Sequence, residues 1–143
     1  TEDRTDANGN VVGTDYVVPV GDTDHIVLVD ITTVVMADQG VDFDFNADWP
    51  NGVPASTARL VVQLPDAAAN TGRRIVVKDA KGFSNLGGEY PMIVVRADRS
   101  AGAQFIDDIP SVPPDTTTPD AALLPEPWSS MTLLCDGSQW FII

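Results

Sequence analysis

The sequence predicts an all-β protein: a compact antiparallel sandwich or barrel, jelly-roll- or tulip-like, of about eight or nine short strands. Three observations predict it. β-Branched and apolar residues come in short runs, Gly, Pro, Asn and Asp punctuate them, and no stretch sustains helical periodicity. At 143 residues with 43% hydrophobic side chains, the chain has the size of one domain and enough apolar material for a core.

Taken in order, residues 1–15 are polar and rich in Gly, Asn and Asp, and read as a flexible N-terminal arm. Residues 16–143 read as a single β domain. A first strand covers residues 16–20, with Pro19 marking an edge or an end. Residues 26–30 and 31–36 follow. Val41, Phe43, Phe45, Ala47 and Trp49 then alternate with Asp42, Asp44, Asn46 and Asp48, the period of a half-buried strand. A strand at 60–64 stops at Pro65, and small residues 66–71 connect it to a strand at 74–79. Runs at 92–96, 104–106, 131–135 and 139–143 complete the series. The last two are joined by Asp136 and Gly137, a hairpin signal. Residues 110–127 hold six of the eleven prolines and read as an extended strap loop, lying either on a neighbouring subunit or on its own domain.

The formal net charge is −13, which argues against nucleic acid and against an anionic membrane surface as partners. The charge is segregated. Residues 1–50 hold eleven acids and one base, residues 51–99 four acids and seven bases, and residues 100–143 six acids and no base. Copies of such a chain would attract one another if these segments lie on different faces. No apolar run is long enough to span a membrane, and the N-terminal residues carry no signal-peptide h-region. A single cysteine, Cys135, excludes an intrachain disulfide and fits a reducing cytoplasm.

Chemistry-bearing constellations are sparse. His25 and Cys135 would form a nucleophilic pair only if the fold joined them, and no motif surrounds either. Asp42, Asp44, Asn46 and Asp48 suggest calcium, but the twelve-residue calcium loop wants Gly and Glu where Ala47 and Val53 stand. Asp107 and Asp108 read as turn residues. Arg73, Arg74, Lys78 and Lys81 form the densest basic cluster, suited to an acidic patch on a second copy. With no Walker loop, zinc spacing, dinucleotide fingerprint or serine elbow, the chain is expected to be no enzyme and to need no cofactor or metal.

The order of the short segments resembles the C-terminal β domain common in virion proteins of tailed bacteriophages. The resemblance covers about residues 26–143. It rests on Leu64 and Pro65, Gly72 and Arg73, the strand from Ile75 to Lys78 and Asp79, Gly82, the Ile106, Asp107, Asp108 step, and a closing Asp136, Gly137 and Trp140. Asp108 stands where that family usually has Gly, and the proline-rich segment replaces a short connection. The structural framework residues are thus Leu64, Pro65, Gly72, Lys78, Asp79, Asp136, Gly137 and Trp140. The candidate interface residues are Arg73, Arg74, Lys81, Leu123, Leu124 and Trp128.

The resemblance implies a virion structural protein, assembled in the host cytoplasm. The leading expectation is a homotrimeric capsid decoration or cement protein, bound to the major capsid protein on the outside of a phage head. A tail-fibre or receptor-binding tip is the alternative. An unrelated carbohydrate- or calcium-binding β-sandwich is the third reading, with Trp49, Trp128 and Trp140 as stacking residues.

Overall fold

The computed structural model describes residues 1–5, 8–32, 59–82, 84, 92–98, 100, 104–107 and 121–143. These residues form nine strands in two sheets. The strands are β1 (Glu2–Thr5), β2 (Val11–Pro19), β3 (Ile26–Val29), β4 (Arg59–Gln63), β5 (Arg74–Asp79), β6 (Met92–Arg96), β7 (Ala121–Leu123), β8 (Ser130–Cys135) and β9 (Trp140–Ile142). The first sheet has the order β1-β2-β4-β6-β7, and the second β3-β5-β8-β9. A single 3-10 turn at Ala67–Ala69 lies between β4 and β5, its first N–H groups met by the Asp66 carboxylate at Ala68 (3.1 Å).

The all-β sandwich expected from sequence is what forms, but its sheets are mixed where an antiparallel arrangement was expected. β2 with β4, β4 with β6, and β3 with β5 run parallel. The cause is the winding. The chain leaves β2 for β3 in the other sheet, returns to β4, crosses again to β5 and returns to β6. β2, β4 and β6 are therefore entered from the same end, which tight hairpins cannot achieve. Only the chain ends close by antiparallel pairing, β1 on β2, β7 on β6, and β5-β8-β9.

The main core lies between the sheets. Leu60 and Val62 of β4 with Ile93 and Val95 of β6 meet Ile75 and Val77 of β5, Leu133 of β8 and Trp140 of β9, all fully or almost fully buried. A second cluster, Val61, Met92, Val94 and Ala121, occupies the opposite face of the first sheet, packed with Val17 and Leu123. β4 and β6 are thus buried on both faces, which is why they read as unbroken apolar runs. Arg59 shares that second face and pairs with Asp15 through Nε (3.0 Å) and Nη2 (2.8 Å), with both side chains buried.

Two elements differ from expectation. The segment 1–15, expected as a flexible arm, contains β1 and the first half of β2. Its ladder pairs Glu2 with Asp15, Asp3 with Thr14 and Arg4 with Gly13. The β1–β2 ladder and polar side-chain anchors, Asp15 on Arg59 and Glu2 on Arg96, hold it, so hydrophobic periodicity could not announce it. The end of the proline-rich strap, Ala121–Leu123, is β7, paired with β6 of its own chain. Residues 108–120 lie outside the described residues, as does the alternating run 41–49. The expected strand at 104–106 is reduced to one bridge, Ile106 to Trp140.

Candidate assembly interface

The second sheet is built around Asp79. It ends β5 with its side chain fully buried, and its carboxylate accepts four backbone N–H groups. Oδ1 takes those of Lys81 (3.1 Å) and Gly82 (3.0 Å). Oδ2 takes those of Ser84 (3.0 Å) and Trp128 (3.1 Å). One carboxylate therefore ties the turn after β5 to the turn before β8. Lys78, one residue earlier, donates from Nζ to the Trp128 carbonyl. Trp128 sits at φ 63°, a left-handed conformation uncommon for a bulky residue. Its indole lies over Gly82, itself at φ 75°, where any Cβ would overlap the ring. The indole nevertheless remains 60% exposed.

At the other end of the sheet, Gly72 (φ 79°) donates its N–H to the Cys135 carbonyl (2.8 Å). Gly137 (φ 98°) completes the β8–β9 hairpin against Thr71. Asp136 accepts from the N–H groups of Ser138 (2.8 Å) and Gln139 (2.9 Å) and from the Ser138 hydroxyl (2.9 Å). The Gln139 N–H, followed by the two Ser138 donors, holds this carboxyl below the usual carboxylate range. Trp140 is fully buried, as is Leu64, whose N–H extends the β4–β6 ladder to the Arg96 carbonyl (2.8 Å). Pro65 is half-buried beside it. The Cys135 thiol donates to the Ala67 carbonyl (3.3 Å), and burial pushes its pKa up. His25 is exposed at the start of β3, whereas Cys135 is buried at the end of β8.

Among the described residues the outward face of this sheet is largely apolar and partly exposed. Strand alternation and register place Ile26, Val76, Thr132 and Ile143 in one row across β3, β5, β8 and the end of β9. Arg74, Leu134 and Phe141 form the row on one side of it. Leu28, Lys78 and Ser130 form the row on the other, with Trp128 beyond Lys78. Ile26 is 65% exposed, Leu28 68% and Ile143 59%. No acidic side chain occupies these rows, although the chain as a whole carries twenty-one acids. A contiguous apolar surface of this kind on a soluble domain marks an interaction site.

Among the described residues β3 also leaves one edge unpaired. Its bonds to β5 use the carbonyls of His25 and Val29. In a parallel ladder alternate residues bond to the same neighbour, so the amide groups of Ile26 and Leu28 face away from β5. Among the described residues no strand pairs with that edge. The opposite edge, β9, is covered by Phe105 and Asp107, which exchange bonds with Trp140 (3.0 and 3.1 Å) and Ile142 (3.2 Å).

The residues singled out from sequence for an interface divide three ways. Arg74 and Lys81 are exposed, and with Trp128 they border the apolar face. Arg73 is committed within its own chain, donating to Asn70 Oδ1 (2.9 Å) and to the carbonyls of Gly21 (2.5 Å) and Asp24 (2.7 Å). Leu124 is fully buried in the main core, and Leu123 packs on the second cluster, so both are structural within their own domain. Sequence reasoning missed Ile26, Leu28, Val76, Leu134, Phe141 and Ile143. The signal was present: β5 and β8 carry apolar residues at both odd and even positions, more than one buried face needs.

The fold and this surface define a class: a mixed β-sandwich whose second sheet, among the described residues, offers an apolar face and an unpaired strand edge. Compared with known proteins, the chain matches no family model, no curated protein and no solved structure. Among the described residues no group of His, Cys, Asp or Glu is placed to hold a metal ion. Asp42, Asp44 and Asp48 lie outside those residues, and so does Trp49.

Proposed function

We propose that this chain is a self-assembling structural protein of a phage virion: a homotrimer that decorates the outside of the head. The observation that carries the reading is the solvent-facing apolar face of the second sheet, with Ile26, Leu28 and Ile143 each more than half exposed. Burying one such aliphatic side chain is worth roughly 1.5–3 kcal/mol. A face that gathers six apolar side chains therefore favours association, and leaves the chain poorly suited to life as a monomer. The resemblance in segment order to tailed-phage virion domains supports the setting, and the net charge of −13 supports a surface role in which copies stay dispersed until they meet a matching partner.

Two measurements test this. Light scattering on the purified chain should give a trimer, and the protein should co-sediment with assembled heads but not with free capsid subunits. A monomer at high concentration, or labelling confined to tails, would refute it. Trp128 favours a second reading, a receptor-binding tip, because its rigidly held and exposed indole is suited to stacking on a sugar ring. In that case the pure protein competes with phage for adsorption to host cells.

A further inference from the structure

The N-terminal hairpin is incompletely supported by its own domain. β1 pairs with the stretch of β2 from Val11 to Asp15, whereas β4 pairs with β2 only from Asp15 to Pro19. Among the described residues the hairpin therefore runs past the ladder that β4 provides, as a two-stranded ribbon. Among the described side chains before Asp15 none belongs to either hydrophobic cluster, and Val11 is 61% exposed. A two-stranded ribbon is at best marginally stable in water unless something packs on it. Its base is nonetheless fixed, by the buried Asp15–Arg59 pair and by Glu2, which accepts from Arg96 at 3.0 and 3.3 Å. The ribbon thus has a set direction, and none of its described side chains before Asp15 joins either hydrophobic cluster.

Its charge is opposite to that of the open face. Glu2, Asp3 and Asp6 outnumber Arg4 in the first six residues, and Asp3 is exposed. Arg74, Lys78 and Lys81 border the apolar rows of the second sheet, where the described acids stand only at strand ends, Asp24 and Asp30 flanking β3 and Asp136 following β8. We propose that the N-terminal hairpin of one copy docks on the second-sheet face of a second copy. Asp3 then lies toward Arg74, and Val11 packs against the aliphatic rows. This inference rests on the self-assembly reading above and names the partner surface. The two surfaces differ, so each copy gives one and receives one. Such a head-to-tail contact closes into a ring when its rotation permits.

The test compares full-length variants by light scattering over a concentration series, at about 50 mM and about 500 mM salt. Asp3→Lys and Arg74→Asp should each weaken association at least about tenfold at the lower salt. Combined in one chain, they should restore most of the loss, because the reversed charges face one another again. Leu28→Asp should abolish association altogether. Circular dichroism on each variant checks the fold, and all three positions are exposed. If Asp3→Lys associates like the parent while Leu28→Asp is monomeric, the hairpin is not the occupant and this inference falls, while self-assembly through the face stands. Single variants that weaken association without recovery in the double variant also overturn it. If Leu28→Asp associates like the parent, the reading of the face fails, and the hairpin proposal fails with it.

Discussion

Asp79 offers the sharpest test of how the second sheet is held together. Replacing it with Ala removes a fully buried carboxylate that accepts four backbone N–H groups. Lys81 and Trp128 are exposed enough for water to reach their freed N–H groups. Gly82 and Ser84 are buried, so theirs are left without a partner. Each buried unsatisfied donor costs about 1–3 kcal/mol, and the lost charge-assisted bonds add to that. The expected loss is about 3–5 kcal/mol, a large part of the total stability of an ordinary domain. Asp79→Asn should fall between the two. Its carbonyl keeps the Lys81 and Gly82 donors, but its amide then faces the N–H groups of Ser84 and Trp128. Urea unfolding followed by tryptophan emission measures both variants. Acrylamide quenching adds a local readout, since Trp128 should become more accessible while Trp140 stays protected. An Asp79→Ala variant within about 1 kcal/mol of the parent would show that the knot is incidental.

Four further outcomes are expected. Arg59→Met should destabilise by about 3–5 kcal/mol, because it strands the buried Asp15 carboxylate; denaturant midpoints report it. Gly72→Ala should cost about 1–2 kcal/mol from its positive φ alone, since nothing lies within 4 Å of the added Cβ. Gly137→Ala should cost more, because its Cβ would stand 2.6 Å from Thr71 Oγ1; equal losses at the two glycines would contradict this. Cys135 should react with a thiol reagent at neutral pH only as fast as the protein unfolds, since the thiol is buried with its pKa raised; labelling of the native protein at the free-thiol rate would refute the placement. Asp136 has a lowered pKa in the fold, so its contribution is complete above the ordinary carboxylate pKa of about 3.9 and disappears as pH falls through the lowered value. Asp136→Asn keeps a turn-forming residue and should flatten the acid limb of the stability profile, measured by urea unfolding below pH 5 or so.

Much of the sandwich was legible because its strands satisfy simple local rules. β5 and β6 coincide with the expected runs 74–79 and 92–96, and the β8–β9 hairpin follows from Asp136 and Gly137. β1 and β7 were not legible, since each is short: β1 is polar text, and β7 buries two alanines in a proline-rich stretch with no alternation to read. The parallel pairing was partly encoded in the unbroken apolar text of β4 and β6, which only a strand buried on both faces needs. At the interface, charge picked out Arg74, Lys81 and the neighbourhood of Trp128. It also picked Arg73, whose guanidinium is consumed by two backbone carbonyls and Asn70, contacts that no linear spacing reveals. The apolar rows were missed because Ile26 or Leu134 looks the same in sequence whether it faces a core or water.

The crossing of the chain between sheets also bears on how the protein reaches its fold. β4 finds its neighbours only in β2 and β6, each separated from it by a full excursion through the other sheet, so no tight turn can nucleate the centre of the first sheet. Refolding is then expected in the slow range of non-local β-proteins, milliseconds to seconds. During that interval the edges of β2 and β4 are bare, and among the described residues the segment Ile26–Val29 keeps an unpaired edge even afterwards. A chain of this design would gain from being made where its partners are already abundant, because the surface that lets copies recognise one another when folded is also the one on which half-folded copies would clump.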